Sequence, residues 1–207
     1  MNNKLSGLDE AGKGALVGPM IVACATVTST NSNYVSRLRE LGVTDSKLVS
    51  TKKRKEILSA ISLDSSFKLS YLEISTVVID QYVSENKLNE LLYESYLSLM
   101  KKNDSAYYYL DAFISPITLR RRLKRDITTD SELIVEYKGD LLYYITGLAS
   151  LYAKQKREES IDNLGLRKKV RSGYPSDPIC KEYIRKNYTS YLDKTLKEIR
   201  YSWKIKI

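Results

Sequence analysis

The chain has 207 residues, 43% apolar and 29% charged, with 34 Lys and Arg against 25 Asp and Glu for a formal net charge of +9. That length suffices for one domain with a full core, or one domain and a small appendage, and the positive excess favours a polyanionic partner such as nucleic acid or a membrane surface. Histidine is absent, which excludes Ser-His-Asp and Cys-His catalysis, histidine general bases and histidine zinc sites.

Any chemistry must therefore run on carboxylates, lysine, tyrosine, serine, cysteine or a metal held by oxygen. Cys24 and Cys180 stand alone, with no C-x-x-C pair, and a reduced cytoplasmic setting is expected. The longest mostly apolar stretch, 15–27, is broken by Gly18-Pro19 and is too short to span a bilayer. No signal peptide is expected.

A short strand is predicted over 5–9, then a glycine turn at Gly12-Lys13-Gly14, then a strand of β-branched and small residues over 20–27. Ser50 caps a predicted helix running to about Ile61. Residues 67–74 alternate like a half-buried strand. Leu88, Leu91, Leu92, Tyr96 and Leu99 form an i, i+3, i+4 stripe, the mark of an amphipathic helix. A tyrosine-rich strand follows over 106–111, and Ser115-Pro116 predicts a helix start with serine as cap. Residues 132–137 read as a strand, 141–164 as one long helix, and the chain after Gly173-Tyr174-Pro175 as further helices. The pattern predicts a mixed α/β sheet layered with helices and a helical C-terminal piece. The expected division is 1–164 and 165–207, the stretch 165–178 being the plausible boundary.

Acids stand at the ends of the predicted strands. Asp9 and Glu10 follow the first, Asp111 ends the tyrosine-rich one, and Asp140 lies between the last strand and the long helix. Strand-end loops are where α/β sheets carry their sites. If the strands ending at Asp9 and Asp111 are neighbours, their carboxylates lie side by side, and such a cluster repels itself unless cations occupy it. Hard oxygen ligands suit Mg2+ or Mn2+, and two such ions can serve phosphodiester cleavage. Each acid taken alone also has a structural reading: Asp9-Glu10 as turn acids, Asp111 as a strand end, Asp140 as an N-cap.

Six blocks, in order, resemble ribonuclease HII of the archaeal type. They are Gly7-Leu8-Asp9-Glu10-Ala11-Gly12-Lys13-Gly14 with Val17-Gly18-Pro19-Met20, then Asp45-Ser46-Lys47, then Leu110-Asp111-Ala112. Lys138-Gly139-Asp140 with Ala149-Ser150-Leu151-Tyr152-Ala153-Lys154 is the fourth. Ser172-Gly173-Tyr174-Pro175-Ser176-Asp177-Pro178 and Ser202-Trp203-Lys204 complete the set. The resemblance implies a ribonuclease H-like fold with a five-stranded mixed sheet flanked by helices. It implies that Asp9, Glu10, Asp111 and Asp140 bind two Mg2+ or Mn2+ ions and cut the RNA strand of RNA/DNA hybrids, or 5′ of ribonucleotides embedded in duplex DNA, leaving 3′-hydroxyl and 5′-phosphate ends.

By the same resemblance, Gly12, Lys13, Gly14 and Tyr174 read the 2′-hydroxyl at the RNA–DNA junction, the group that distinguishes RNA from DNA locally. Asp45, Ser46 and Lys47 contact or orient substrate, or simply start a helix; Ser150 and Lys154 reach the phosphate backbone, or Lys154 is a solvated helix residue. The basic run 120–125 is a solvated helix face that a duplex could engage through salt-sensitive contacts. Two positions depart from the pattern. Lys13 lacks the bidentate fork of the arginine often found there, which bears on discrimination of a single ribonucleotide. Tyr137 stands where histidine is frequent, which bears on metal preference or pH dependence. No glutamine-led, aromatic-ended clamp-binding tail follows Trp203, so a sliding-clamp partner is not expected, and the chain is expected to be a monomer. Ribonuclease HIII, with a similar opening signature, is the alternative enzyme; that type carries a large N-terminal substrate-binding domain, and here the signature starts at residue 7. From another class, the alternative is a catalytically silent basic nucleic-acid-binding module, against which retention of all four acids argues.

Overall fold

The structure is a computed structural model that describes residues 4–28, 33–127 and 130–203. Five strands form one mixed sheet: β1 (Lys4–Ala11), β2 (Met20–Thr28), β3 (Phe67–Ile74), β4 (Tyr107–Asp111) and β5 (Glu132–Glu136). Their order is β3-β2-β1-β4-β5. β2 pairs antiparallel with both β1 and β3, β3 following it only after two helices, whereas β4 and β5 run parallel to β1. The expected five-stranded mixed sheet flanked by helices is what the chain forms.

Alternation along β2 assigns the two faces, because successive side chains of a strand point oppositely. Met20, Val22 and Cys24 join one core with Leu8, Leu110 and Leu133. Ala25 and Val27 join a second core on the other face. The first face is covered by α4 (Leu88–Lys102), whose stripe of Leu91, Leu92, Tyr96 and Leu99 is buried there, and by α5 (Pro116–Asp126), which contributes Leu119 and Leu123. The second face is covered by α2 (Thr51–Ser62) and by α7 (Tyr144–Asn163), a 20-residue helix lying across β1 and β2. Each Leu or Ile buried in these layers contributes about 1.5–3 kcal/mol relative to exposure. With helices on both faces, β2 is buried along nearly its whole length, and its apolar run needs no polar alternation.

Ser50 caps α2 as expected, its Oγ accepting from the Lys53 amide at 3.2 Å. Three features differ from expectation. Ser115 precedes α5 without a side-chain capping bond, Pro116 alone marking the start. The predicted helix over 141–164 is two helices, α6 (Gly139–Leu142) and α7, because Tyr143 between them is extended at φ −126°, ψ 118°. Asp140 therefore lies in the first turn of α6, and the cap position belongs to Lys138, a left-handed residue. Finally, α1 (Tyr34–Leu41) and α3 (Thr76–Ser84) were not anticipated.

The C-terminal segment forms α8 (Arg167–Val170), α9 (Pro178–Lys186) and α10 (Tyr188–Leu192). Its apolar residues Leu166, Val170, Cys180, Ile184 and Ile199 pack with Leu16, Val17 and Ile161 in a third core. Both cysteines are buried and free. No helix among the described residues is long and apolar enough to cross a membrane.

Candidate active site

Parallel pairing of β1 with β4 puts Leu8 opposite Leu110, so Asp9 and Asp111, one residue further along each strand, emerge side by side. Glu10 joins them: one carboxylate oxygen from each of Asp9, Glu10 and Asp111 lies within 4.8 Å of the others. The three acids are held from different directions. The Glu10 amide donates to Asp9 Oδ1 at 2.7 Å, and Ser150 on α7 hydrogen-bonds the same carboxylate. Tyr96 on α4 donates to Glu10 Oε2 at 3.3 Å and to the Asp111 carbonyl at 3.2 Å. The Gly139 amide donates to Asp111 Oδ1 at 2.7 Å.

Burial, then the charges of Glu10 and Asp111, push the Asp9 carboxyl well above the ordinary carboxylate range. Burial likewise raises Glu10 and Asp111, Lys13 opposing the rise at both. Three acids that the fold both buries and crowds together call for compensating positive charge. Their donor set is all oxygen, which fits a hard divalent ion. Asp140 is half-buried and lies outside the 4.8 Å trio, yet its charge acts on Asp9 and Asp111.

Beside Asp9 a second group converges. Ser46 is buried, and its Oγ is 3.0 Å from Ser150 Oγ and receives a bond from Lys154 Nζ at 2.6 Å. Asp45 accepts from the Lys47 amide at 2.8 Å and thereby closes its own turn, while the Lys47 side chain is exposed. The Ser46–Lys47 turn, Lys154 and Tyr174 line one open cavity of about 1020 Å³ together with Arg54, Arg167, Lys168 and Arg171. Glu158, also in its wall, pairs with Arg54 at 2.6 Å and Arg167 at 2.8 Å.

The glycine turn is the third part. Gly12 has φ +90°, and a Cβ there would meet Arg157 Nε at 2.4 Å, so glycine is required on both conformational and steric grounds. The Gly12 amide donates to Tyr174 Oη at 2.9 Å, tying the turn to the C-terminal segment across 162 residues. A Cβ on Gly14 would meet nothing within 4 Å; no protein atom demands glycine there.

The family model described as Ribonuclease HII matches residues 6–206. This chain belongs to the ribonuclease HII family. A ribonuclease HII of Sulfolobus acidocaldarius is 34% identical over 206 residues, covering 97% of this chain and 92% of the relative. The solved ribonuclease HII of Archaeoglobus fulgidus, determined in complex with PCNA, matches with a TM-score of 0.85 at 30% identity, covering 98% of this chain and 96% of that one. The ribonuclease H2 structure from Pyrococcus horikoshii OT3 gives the same TM-score at 29% identity, covering 98% and 94%. The chain is thus a ribonuclease H hydrolase of a divalent-metal-dependent family.

Two ribonuclease HII residues near the turn escaped the sequence reading because charged side chains normally signal surface. Arg200 is fully buried, and it donates to the carbonyls of Gly12 at 2.6 Å, Lys13 at 3.1 Å and Gly18 at 2.8 Å and 3.0 Å. Arg157, also buried, donates to the carbonyls of Val17, Pro19 and Ser172, and its guanidinium lies 5.0 Å over the Tyr174 ring. Burial, then the charge of Arg157, lowers Arg200 to about 9. These arginines spend their charge on backbone carbonyls, fixing the turn that carries Gly12, Lys13 and Gly14. Tyr96 was legible only as one member of a core stripe. Within the basic run, Arg122 pairs with Glu90 at 2.7 Å and stacks 3.9 Å from the Tyr93 ring, while Arg120, Arg121 and Arg125 are exposed. Tyr137 is exposed as well. Lys204 of the last signature block, and the positions after it where a clamp-binding tail would stand, lie outside the described residues.

Proposed function

We propose that this ribonuclease H cuts the RNA strand of RNA/DNA hybrids and nicks duplex DNA 5′ of embedded ribonucleotides, acting as a cytoplasmic monomer with two Mg2+ or Mn2+ ions held by Asp9, Glu10, Asp111 and Asp140. The observation that carries this reading is the convergence of Asp9, Glu10 and Asp111 oxygens within 4.8 Å at the ends of two parallel strands. Divalent ions bound there supply electrostatic stabilisation of the scissile phosphate and lower the pKa of an attacking water.

The chain's own residues then have distinct tasks. Ser150 and the Glu10 amide orient the Asp9 carboxylate, and Gly139 orients that of Asp111. Ser46, Lys47 and Lys154 offer hydroxyl and cationic contacts to the phosphate backbone from the wall of the open cavity; Asp45 sets their turn. Positive charge continues through Lys168 and Arg171, giving a duplex a salt-sensitive track.

Gly12, Lys13 and Gly14 approach the ribose closely, and the unobstructed space beside Gly14 supports that task. Tyr174, held by Gly12 and Arg157, presents its ring to the sugar whose 2′-hydroxyl is read. Since Tyr174 belongs to the segment 165–207, that segment completes the substrate site of a catalytic unit formed by 1–164.

The test is an end-labelled DNA duplex holding one ribonucleotide, incubated with Mg2+, Mn2+ or chelator. Cutting on the 5′ side of the ribonucleotide, with a 3′-hydroxyl product and only with metal, is expected. Tight binding without cutting in any metal would make the protein a silent binding module instead.

A further inference from the structure

Lys13, the cation of the glycine turn, does not extend freely into solvent. Its Nζ lies 5.5 Å from the ring centroid of Phe113, within reach of the negative face of an aromatic ring. Phe113 follows the end of β4 by two residues and packs edge-on against Tyr96, with centroids 5.1 Å apart and planes at 80°. Tyr96 in turn bonds Glu10 and the Asp111 backbone. One wall of the acidic cleft is therefore a stack of Tyr96, Phe113 and the Lys13 ammonium. Burial aside, Lys13 is the largest influence on the Glu10 carboxyl, and it acts on Asp111 as well.

A lysine stem has four rotatable carbons and no planar fork to fix it. Left to itself, the ammonium would spread over many rotamers and its charge over a large volume. The ring favours the rotamers that keep the ammonium over its face, from where its charge acts on Glu10 and Asp111.

We propose that Phe113 is a positioning residue for Lys13, holding the ammonium beside Glu10 and Asp111 so that it competes with divalent ions for those carboxylates. Metal entry then displaces the lysine charge from the cluster and frees it to meet a substrate phosphate. The assignment rests on the metal site proposed above, deepening it with a device local to this turn.

The experiment is a calorimetric Mn2+ titration of the substrate-free protein at low ionic strength, for wild type, Phe113→Leu, Phe113→Tyr, Lys13→Met and the double variant Phe113→Leu/Lys13→Met. Leucine keeps apolar bulk against Tyr96 and removes the ring face; melting curves verify that each variant folds. Phe113→Leu should bind Mn2+ about two- to fivefold more tightly, the range equivalent to one exposed cation–π contact. Lys13→Met should tighten binding at least as much, Phe113→Tyr should keep the wild-type affinity, and Phe113→Leu should add nothing once Lys13 is gone. An equal change in both lysine backgrounds would assign Phe113 to packing alone and overturn the proposal, as would an unchanged affinity in Phe113→Leu. Absence of Mn2+ binding in the wild type would instead sink the metal site itself.

Discussion

Consider Asp9→Asn in protein stripped of divalent ions. Asp9 is 5% exposed, and its carboxylate shares a 4.8 Å cluster with those of Glu10 and Asp111. At an effective dielectric of about 20, two full charges at that separation repel by about 3 kcal/mol. Protonation relieves part of this, since burial and the neighbouring charges hold the Asp9 carboxyl well above its ordinary 3.8. Asparagine keeps an oxygen for the Glu10 amide and for Ser150 while carrying no charge. The variant should therefore be more stable without metal by about 1–3 kcal/mol, or about 3–9 °C in melting temperature for a chain of this size.

The pH dependence follows with a definite sign. Asp9, Glu10 and Asp111 have folded-state values above the ordinary 3.8, 4.5 and 3.8. Their stability contribution is thus full below about pH 4 and is lost as pH rises through the raised values. Metal-free wild type should lose melting temperature over that rise, and Asp9→Asn should lose less. Scanning calorimetry from pH 4 to 8, with chelator and with millimolar Mn2+, provides the assay. Mn2+ should raise wild type toward the variant and raise the variant little. If Asp9→Asn melts lower than wild type in chelator at pH 8, or gains as much from Mn2+, the electrostatic reasoning is wrong.

Asp111→Asn should reduce cleavage by at least about a hundredfold while duplex affinity, read by fluorescence anisotropy, changes little; near-normal turnover would remove Asp111 from the site. Arg200→Met leaves the carbonyls of Lys13 and Gly18 without their donor and that of Gly12 with the Ala15 amide alone, at about 1–3 kcal/mol for each unsatisfied group, partly offset by removing a buried charge. A melting temperature lower by about 5–15 °C is expected; a change under about 2 °C would mean that the turn holds its shape unaided. Tyr174→Ala should weaken discrimination between ribonucleotide and deoxyribonucleotide junctions by about tenfold, the equivalent of one hydrogen bond to the sugar. Equal loss on both substrates would deny it that role.

Much of this fold was readable because its layers obey simple periods. The five strands carry β-branched or alternating runs, and the α4 stripe falls on one helical face. Two helices were hidden for opposite reasons. α1 buries only Leu38 and has no side-chain cap, so little in its sequence marks it. α3 opens with Thr76, Val77, Val78 and Ile79, residues that favour strands, and its helical form is signalled only by Ser75, whose Oγ accepts from the Val78 amide at 3.4 Å. The break at Tyr143 carries neither Gly nor Pro. Within the site, the three converging acids could be anticipated because strand pairing fixes where they emerge. Arg157, Arg200 and Tyr96 could not, because an arginine bonded to carbonyls and a tyrosine bonded to a carboxylate look, in sequence, like a surface residue and a core residue. Which groups they meet depends on contacts 15 to 188 residues apart in the chain, from Tyr96 with Asp111 to Arg200 with Gly12.

The most direct measurement is an anomalous difference map from crystals grown with Mn2+ and an uncut duplex holding one ribonucleotide. Two peaks bridged by oxygens of Asp9, Glu10, Asp111 and Asp140, beside the phosphate on the 5′ side of that ribonucleotide, are predicted. Manganese bound elsewhere, or a duplex whose phosphate lies remote from these acids, would contradict the account.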